Sequence, residues 1–138
     1  GMEREIVPTA LSNDGIRWHC RAYCCYRNRF SDFNLNRISE SVIGNKVTLV
    51  DEDIEWTTFV DIIVNAHPAL DEDEKSLVLN DYGYDGKFIL RVRGALVDYT
   101  IQYYRLGRHP DTYSPKQHPL IIDNAEELSP YFFKSDAQ

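Results

Sequence analysis

Five arginines, Arg17, Arg21, Arg27, Arg29 and Arg37, stand in one stretch with a single acid, Asp32. The chain as a whole carries a net charge of −7, so this stretch runs against the rest. A guanidinium is a planar fork of donors that matches the oxygens of a phosphate. His19 adds a further hydrogen-bonding ring, and Tyr23 a surface on which a base can stack. Arginines interleaved with aromatic rings on one β surface are what recognition of a nucleotide or a short single strand requires. The alternative is a solvated sheet face on which Arg21 pairs with Asp32 across two strands.

No other constellation competes with this one. The sequence has no G-x-S-x-G, no glycine-rich phosphate loop, no H-E-x-x-H and no C-x-x-C. The four histidines, His19, His67, His109 and His118, lie far apart and read as surface or turn residues. Cys20 and Cys24 are four residues apart on a strand, about 13 Å, too far for one disulfide. Cys24 and Cys25 point to opposite faces. The three thiols are expected to be free, as suits a reducing cytoplasm. Their spacing lacks the paired short motifs of zinc sites. No catalytic residue, metal or cofactor is assigned, and the chain is read as a non-enzyme.

These residues must be positioned by a β-hairpin. Arg27-Asn28 is the expected turn between two β-rich runs. Pairing Tyr26 with Arg29 sets Cys24 opposite Ser31, Ala22 opposite Phe33, Cys20 opposite Leu35 and Trp18 opposite Arg37. Side chains alternate between faces along a strand. Trp18, Cys20, Ala22 and Cys24 then share an apolar face with Phe33 and Leu35. His19, Arg21 and Tyr23 share a polar one with Asp32, Asn34 and Asn36. A slip of one residue would mix the two faces. Arg37 falls beside Trp18, where it either stacks on the indole or reaches a ligand.

Arg4–Leu11 precedes the hairpin as a strand that Pro8 confines to an edge or interrupts. Asn13-Asp14-Gly15 is a turn. After the hairpin, short strands are expected around Val42-Ile43 and Val47–Val50, split by Gly44-Asn45. Five short strands with tight turns suggest a small barrel, marginal alone at about fifty residues. Asp51-Glu52-Asp53 reads as a solvated linker.

From Glu55 the pattern changes. Trp56–Asn65 reads as a strand with Val60, Ile62 and Val64 on one face, ended by His67-Pro68. Asp71 with Glu74 signals a helix start, and Gly83 a stop near Tyr82. Lys87–Val92 reads as a strand. Arg93–Leu106 reads as a helix with Leu96, Tyr99 and Tyr103 at helical spacing, closed by Gly107 and Pro110. Leu120–Ile122 is a last strand, and residues 124–133 are part helix, part loop. Strands alternating with helices over this length make a compact α/β unit. The fold class expected is α+β: a barrel over 3–50, then an α/β unit over 56–133.

Charge narrows the partners. Residues 38–138 hold 18 acids and 9 bases, whereas residues 1–37 hold 6 arginines and 4 acids. Non-specific binding of DNA by the whole chain is not expected, while a small anion at one site is compatible. No apolar run reaches the roughly 18–20 residues of a membrane span. Met2 is followed by charged residues rather than an apolar leader. Gly1 before Met2 resembles a cloning remnant.

Several pieces in order resemble the WYL domain of bacterial transcriptional regulators, closest to the subset from phage-defence loci. They are Ile6-Val7-Pro8 with Ala10-Leu11, Asp14-Gly15, Arg17-Trp18-His19, Arg21-Ala22-Tyr23, and Phe33 with Arg37-Ile38. Trp18-His19-Cys20 departs from the family's Trp-Tyr-Leu. The remainder more loosely resembles the C-terminal extension that follows this domain. The resemblance implies an Sm-like or SH3-like barrel that senses a nucleotide or single-stranded nucleic acid. It implies ligand-facing roles for His19, Arg21, Tyr23 and Arg37, with Arg27 and Arg29 near the turn. It implies a cytoplasmic regulator that forms a homodimer through the extension. Duplex DNA would be met only through a winged-helix domain, which this chain lacks. The main expectation is therefore a ligand sensor. A protein-interaction or dimerisation module without a small ligand is the second reading, and an enzyme acting on nucleotides a distant third.

Overall fold

A computed structural model describes residues 3–49 and 51–133. Gly1 and Met2, read above as the start region, and Val50, the end of the last expected barrel strand, lie outside the described residues. The chain divides into two compact units between Asp53 and Ile54.

The first unit is a three-stranded antiparallel sheet in the order β1-β2-β3, from β1 (Ile6–Asn13), β2 (Trp18–Cys24) and β3 (Arg29–Asn34). Pro8 does not end β1. The register instead slips between Pro8 and Ala10, a bulge that absorbs the missing donor. In the hairpin, Cys24 pairs with Arg29, Ala22 with Ser31 and Cys20 with Phe33. The expected register is thus wrong by two residues, because the turn is longer: it takes Cys25–Asn28, closed by Asn28 N–H to Cys24 O at 2.7 Å. Asn28 supplies the positive φ of 55° that such a turn needs. A shift of two preserves which side chains share a face, so Cys20, Ala22 and Cys24 still oppose His19, Arg21 and Tyr23. The Trp18–Arg37 pair does not form. Asn34 Oδ1 accepts from Asn36 N–H at 2.9 Å and opens a 3-10 turn over Leu35–Arg37.

No barrel closes among the described residues. Residues 38–49 take no strand, and Val42 and Ile43 are 92% and 103% exposed. Apolar runs that pair with nothing have no ladder to hold them extended. The buried apolar side chains of the first unit, Cys20, Ala22 and Cys24, are all small.

The second unit holds a larger core. A single helical turn, α1 (Ile54–Thr57), precedes β4 (Phe59–Ala66), so the strand starts later than Trp56. α2 (Glu72–Asp81), β5 (Phe88–Arg93), α3 (Val97–Tyr104), β6 (Leu120–Ile122) and α4 (Ala125–Leu128) follow. The sheet order is β5-β4-β6, and both pairings are antiparallel, rather than the parallel arrangement that an α/β unit implies. The reason lies in the connections. α2 returns the chain to the end of β4 it left, setting Phe88 beside Val64, whereas α3 carries it back along the sheet to set Leu120 beside Ala66.

Ile62, Val64, Ala66 and Phe88 face the helices, with Leu79, Val97, Ile101, Leu120, Ile122 and Leu128 in the same cluster. Each large aliphatic side chain so buried contributes about 1.5–3 kcal/mol. Asp71 and Glu74 form the expected capping box, at 2.8 and 3.2 Å. The α3 region begins with a 3-10 turn over Gly94–Leu96 and ends at Arg105, which is left-handed at φ 54°. Gly107 is not its cap. A Cβ there would stand 3.0 Å from Tyr113 Cβ and 3.2 Å from Ile121 Cγ2, so this glycine serves a close approach to β6. The buried positions of α3 are Val97, Asp98 and Ile101, while Tyr103 is exposed. Asp98 accepts from Arg108 Nη2 at 2.5 Å and from the Phe133 N–H, tying the end of the described chain to the helix.

Candidate functional site

The polar face of the hairpin brings His19, Arg21 and Tyr23 together on alternate positions of β2, opposite Asn34, Asp32 and Phe30. It is not the wet surface expected. His19 is 6% exposed and Arg21 4%. Arg21 Nε donates to Asp53 Oδ2 at 2.7 Å, and Nη2 to Asp53 Oδ1 at 2.8 Å, a two-pronged grip on one carboxylate. Its Nη1 reaches Asp32 Oδ1 at 3.5 Å, the cross-strand pair foreseen. The backbone carbonyl of Arg21 accepts from Thr9 Oγ1 at 3.0 Å, beside the β1 bulge.

A second cluster stands at the other end of β2. Asp14 Oδ1 accepts from the N–H groups of Ile16 at 2.8 Å and Arg17 at 2.7 Å. Asp14 Oδ2 meets His19 Nε2 at 2.9 Å and Arg17 Nη2 at 3.0 Å. Burial alone would raise the Asp14 carboxyl, but the hydrogen bonds from His19, the two backbone N–H groups and Arg17 outweigh it. They hold it well below the usual carboxylate range. Asn13 Oδ1 caps Gly15 N–H at 2.7 Å, and Gly15 takes the positive φ of 98° that the turn demands. Next to His19, Ser12 is paired across the β1–β2 ladder, and its Oγ is buried without a hydrogen-bond partner among the described residues.

The acidic run Asp51-Glu52-Asp53 is therefore not a solvated linker throughout. Asp53 is held by Arg21 with only 11% of its side chain exposed. Partial burial first, then the carboxylate of Asp51, push the Tyr23 hydroxyl up. The anion that meets the hairpin's central arginine is the chain's own. Asp14 and Asp53 are the residues that motif reading missed. A basic hairpin followed by an acidic run was the available signal for Asp53. For Asp14, a turn residue three positions before an arginine and five before a histidine was the signal.

Of the remaining candidates, Arg27 lies in the turn, Arg29 opens β3 on the opposite face, and Arg37 ends the 3-10 turn. All three are exposed, and none has an ion pair among the described residues. Cys20 and Cys24 are buried free thiols. Burial, then Asp32, raise the Cys20 thiol. Burial also opposes ionisation of Cys24, but hydrogen bonds from Arg27, Tyr26 and Arg4 reverse the balance and lower it. Histidines are not all surface residues: His67, 2% exposed, meets Tyr113 O through Nε2 at 2.6 Å and accepts at Nδ1 from Ala69 N–H at 3.0 Å. No cluster of three metal-ligating side chains occurs among the described residues, and no helix there is long and apolar enough to cross a membrane.

The chain is similar to the DNA-binding transcriptional repressor CapW of Pseudomonas aeruginosa, 35% identical over 130 residues, 93% of this chain and 44% of that protein. It is also similar to CapW of Escherichia coli, 34% identical over 130 residues with the same coverage. CapW of Stenotrophomonas maltophilia is 36% identical over 128 residues, 89% of this chain and 42% of that protein. The chain thus spans under half the length of the curated relatives it matches. Residues 59–128, just over half of the chain and nearly all of the second unit's sheet and helices, match a family profile. On that match the protein belongs to the family described as BrxR transcriptional regulator, C-terminal dimerization domain.

Proposed function

We propose that this chain is the C-terminal part of a DNA-binding transcriptional repressor and that its second unit pairs two protomers. The observation that carries this reading is the similarity to CapW repressors across both units, joined to a dimerisation-family match over the core of the second. A repressor that reads a two-fold symmetric site needs its two DNA-contacting parts held at fixed spacing. A compact unit with its own core suits that task. Light scattering of the chain at micromolar concentrations should return the mass of a dimer. A monomer mass at every concentration would overturn the reading.

A second reading concerns the first unit, and Ser12 favours it. A buried hydroxyl without a partner costs about 1–3 kcal/mol, and this one lies beside His19 on the face that carries Arg21 and Tyr23. The WYL-like first fifty residues would then sense a nucleotide or short single strand. Arg27, Arg29 and Arg37 would supply accessible charge, and a phosphate would take the place of Asp53 on Arg21. Under this reading a short single-stranded oligonucleotide binds at low salt, and binding weakens as salt rises. Arg27→Ala with Arg29→Ala lowers affinity, and Asp53→Asn raises it by removing the competitor. Calorimetry with no heat of binding for mononucleotides or oligonucleotides at low salt would leave the first unit as a protein-interaction module.

A further inference from the structure

We infer that the bare face of β4 and β5 is where a second copy of this chain docks, the two related by a two-fold axis. This rests on the reading that the second unit pairs protomers, and names the surface that does it. The helices α2, α3 and α4 contribute to the core on one face of the sheet. On the other face, Ile121 of β6 is 5% exposed and is bridged by Gly107 alongside it. The β4–β5 part of that face stays open. Phe59 is 47% exposed and Ile89 58%. An open sheet face carrying large apolar side chains is a surface to be covered.

Charge says by what. Asp61 and Arg91 face each other across the β4–β5 ladder at 3.6 Å, with side chains 44% and 68% exposed. An acid and a base side by side form a self-complementary pair. A two-fold axis parallel to the strands and midway between the two residues would set each Asp61 against the other copy's Arg91, an isologous contact. Nearby, the Arg93 guanidinium lies 4.7 Å from both the Trp56 and Phe59 ring centres and donates to Trp56 O at 2.7 Å. Its rotamer is already fixed before association. Arginine and tryptophan are the residue types in which binding energy concentrates.

The test compares the wild-type chain, Asp61→Arg, Arg91→Asp and an equimolar mixture of the two variants by sedimentation velocity. Circular-dichroism melts establish that each is folded. Each variant alone should weaken self-association by roughly tenfold or more, since symmetry repeats the like-charge contact. The mixture should recover dimers. Mixing cannot restore a pair within one chain, so recovery can arise only across an interface. Ile89→Arg, at an exposed position outside the core, should also weaken the dimer and decides the matter if a charge variant fails to fold. A wild-type dimer that these variants leave intact, or a mixture no more dimeric than its components, overturns the surface and leaves the pairing function standing. A wild-type chain that is monomeric removes the pairing function itself.

Discussion

Asp14 serves Ile16, Arg17 and His19 at once, and its charge is the currency of that arrangement. Because its carboxyl is held below its ordinary value of 3.8, the folded first unit binds fewer protons than the unfolded chain around that pH. The sign follows from linkage: the stabilisation is complete well above 3.8 and is lost as pH falls through and below it. Asp14→Asn should therefore flatten the acid limb of the stability profile while costing stability at neutral pH. Urea denaturation at a series of pH values, followed by Trp18 fluorescence in a Trp56→Phe background, measures both. An unchanged acid limb would show that the carboxylate is not what the cluster depends on. Arg21 is the same lesson with a different partner. A buried guanidinium must be matched, and the chain matches it with Asp53 and Asp32.

Of the two longer helices, α2 is held less by packing than α3. Only Leu79 is buried on it, and Leu77 is 64% exposed. Its stability comes instead from Asp71 and Glu74, whose side chains satisfy each other's backbone N–H groups, and from acids in the first turn that suit the helix dipole. Asp71→Ala should cost about 1 kcal/mol and raise amide exchange in the first turn of α2 before any other part of the second unit. Exchange that rises evenly over the sheet would contradict this. The capping box was legible because both partners lie three residues apart in the chain. The end of α3 was not. Gly107 looked like a helix stop, but its lack of a Cβ is needed against Tyr113 and Ile121, and Arg105 takes the left-handed position instead. Leu96, Tyr99 and Tyr103 satisfied helical spacing, yet Val97 and Ile101 face the core. Periodicity alone does not say which of two apolar stripes the sheet will cover.

At the scale of the molecule, the two units differ in how they are built. The second has a contiguous aliphatic core, whereas among the described residues of the first the buried apolar side chains, Cys20, Ala22 and Cys24, are small and stand beside buried ion pairs. Between the hairpin and Asp53, residues 38–48 are exposed and take no regular structure. Brief trypsin treatment should cut after Lys46 before it cuts within the second unit, releasing a fragment that contains Ile54–Phe133. Mass spectrometry of the first products checks this. Early cleavage at Arg91 or Arg93 instead would mean that β5 opens more readily than the 38–49 segment.

Local chemistry carried the β-hairpin and its two faces, the α2 cap and the β6 run. Each depends on alternation, turn residues or charge shifts within a few positions of one another. Whether the arginine face stays wet depended on a carboxylate 32 positions away in the chain, and whether the second sheet runs antiparallel depended on which end α2 and α3 return to. Neither is a local property. The desolvation of Arg21 has to be met by whichever carboxylate the folded chain brings within reach, and distance in space decides that where distance along the chain cannot.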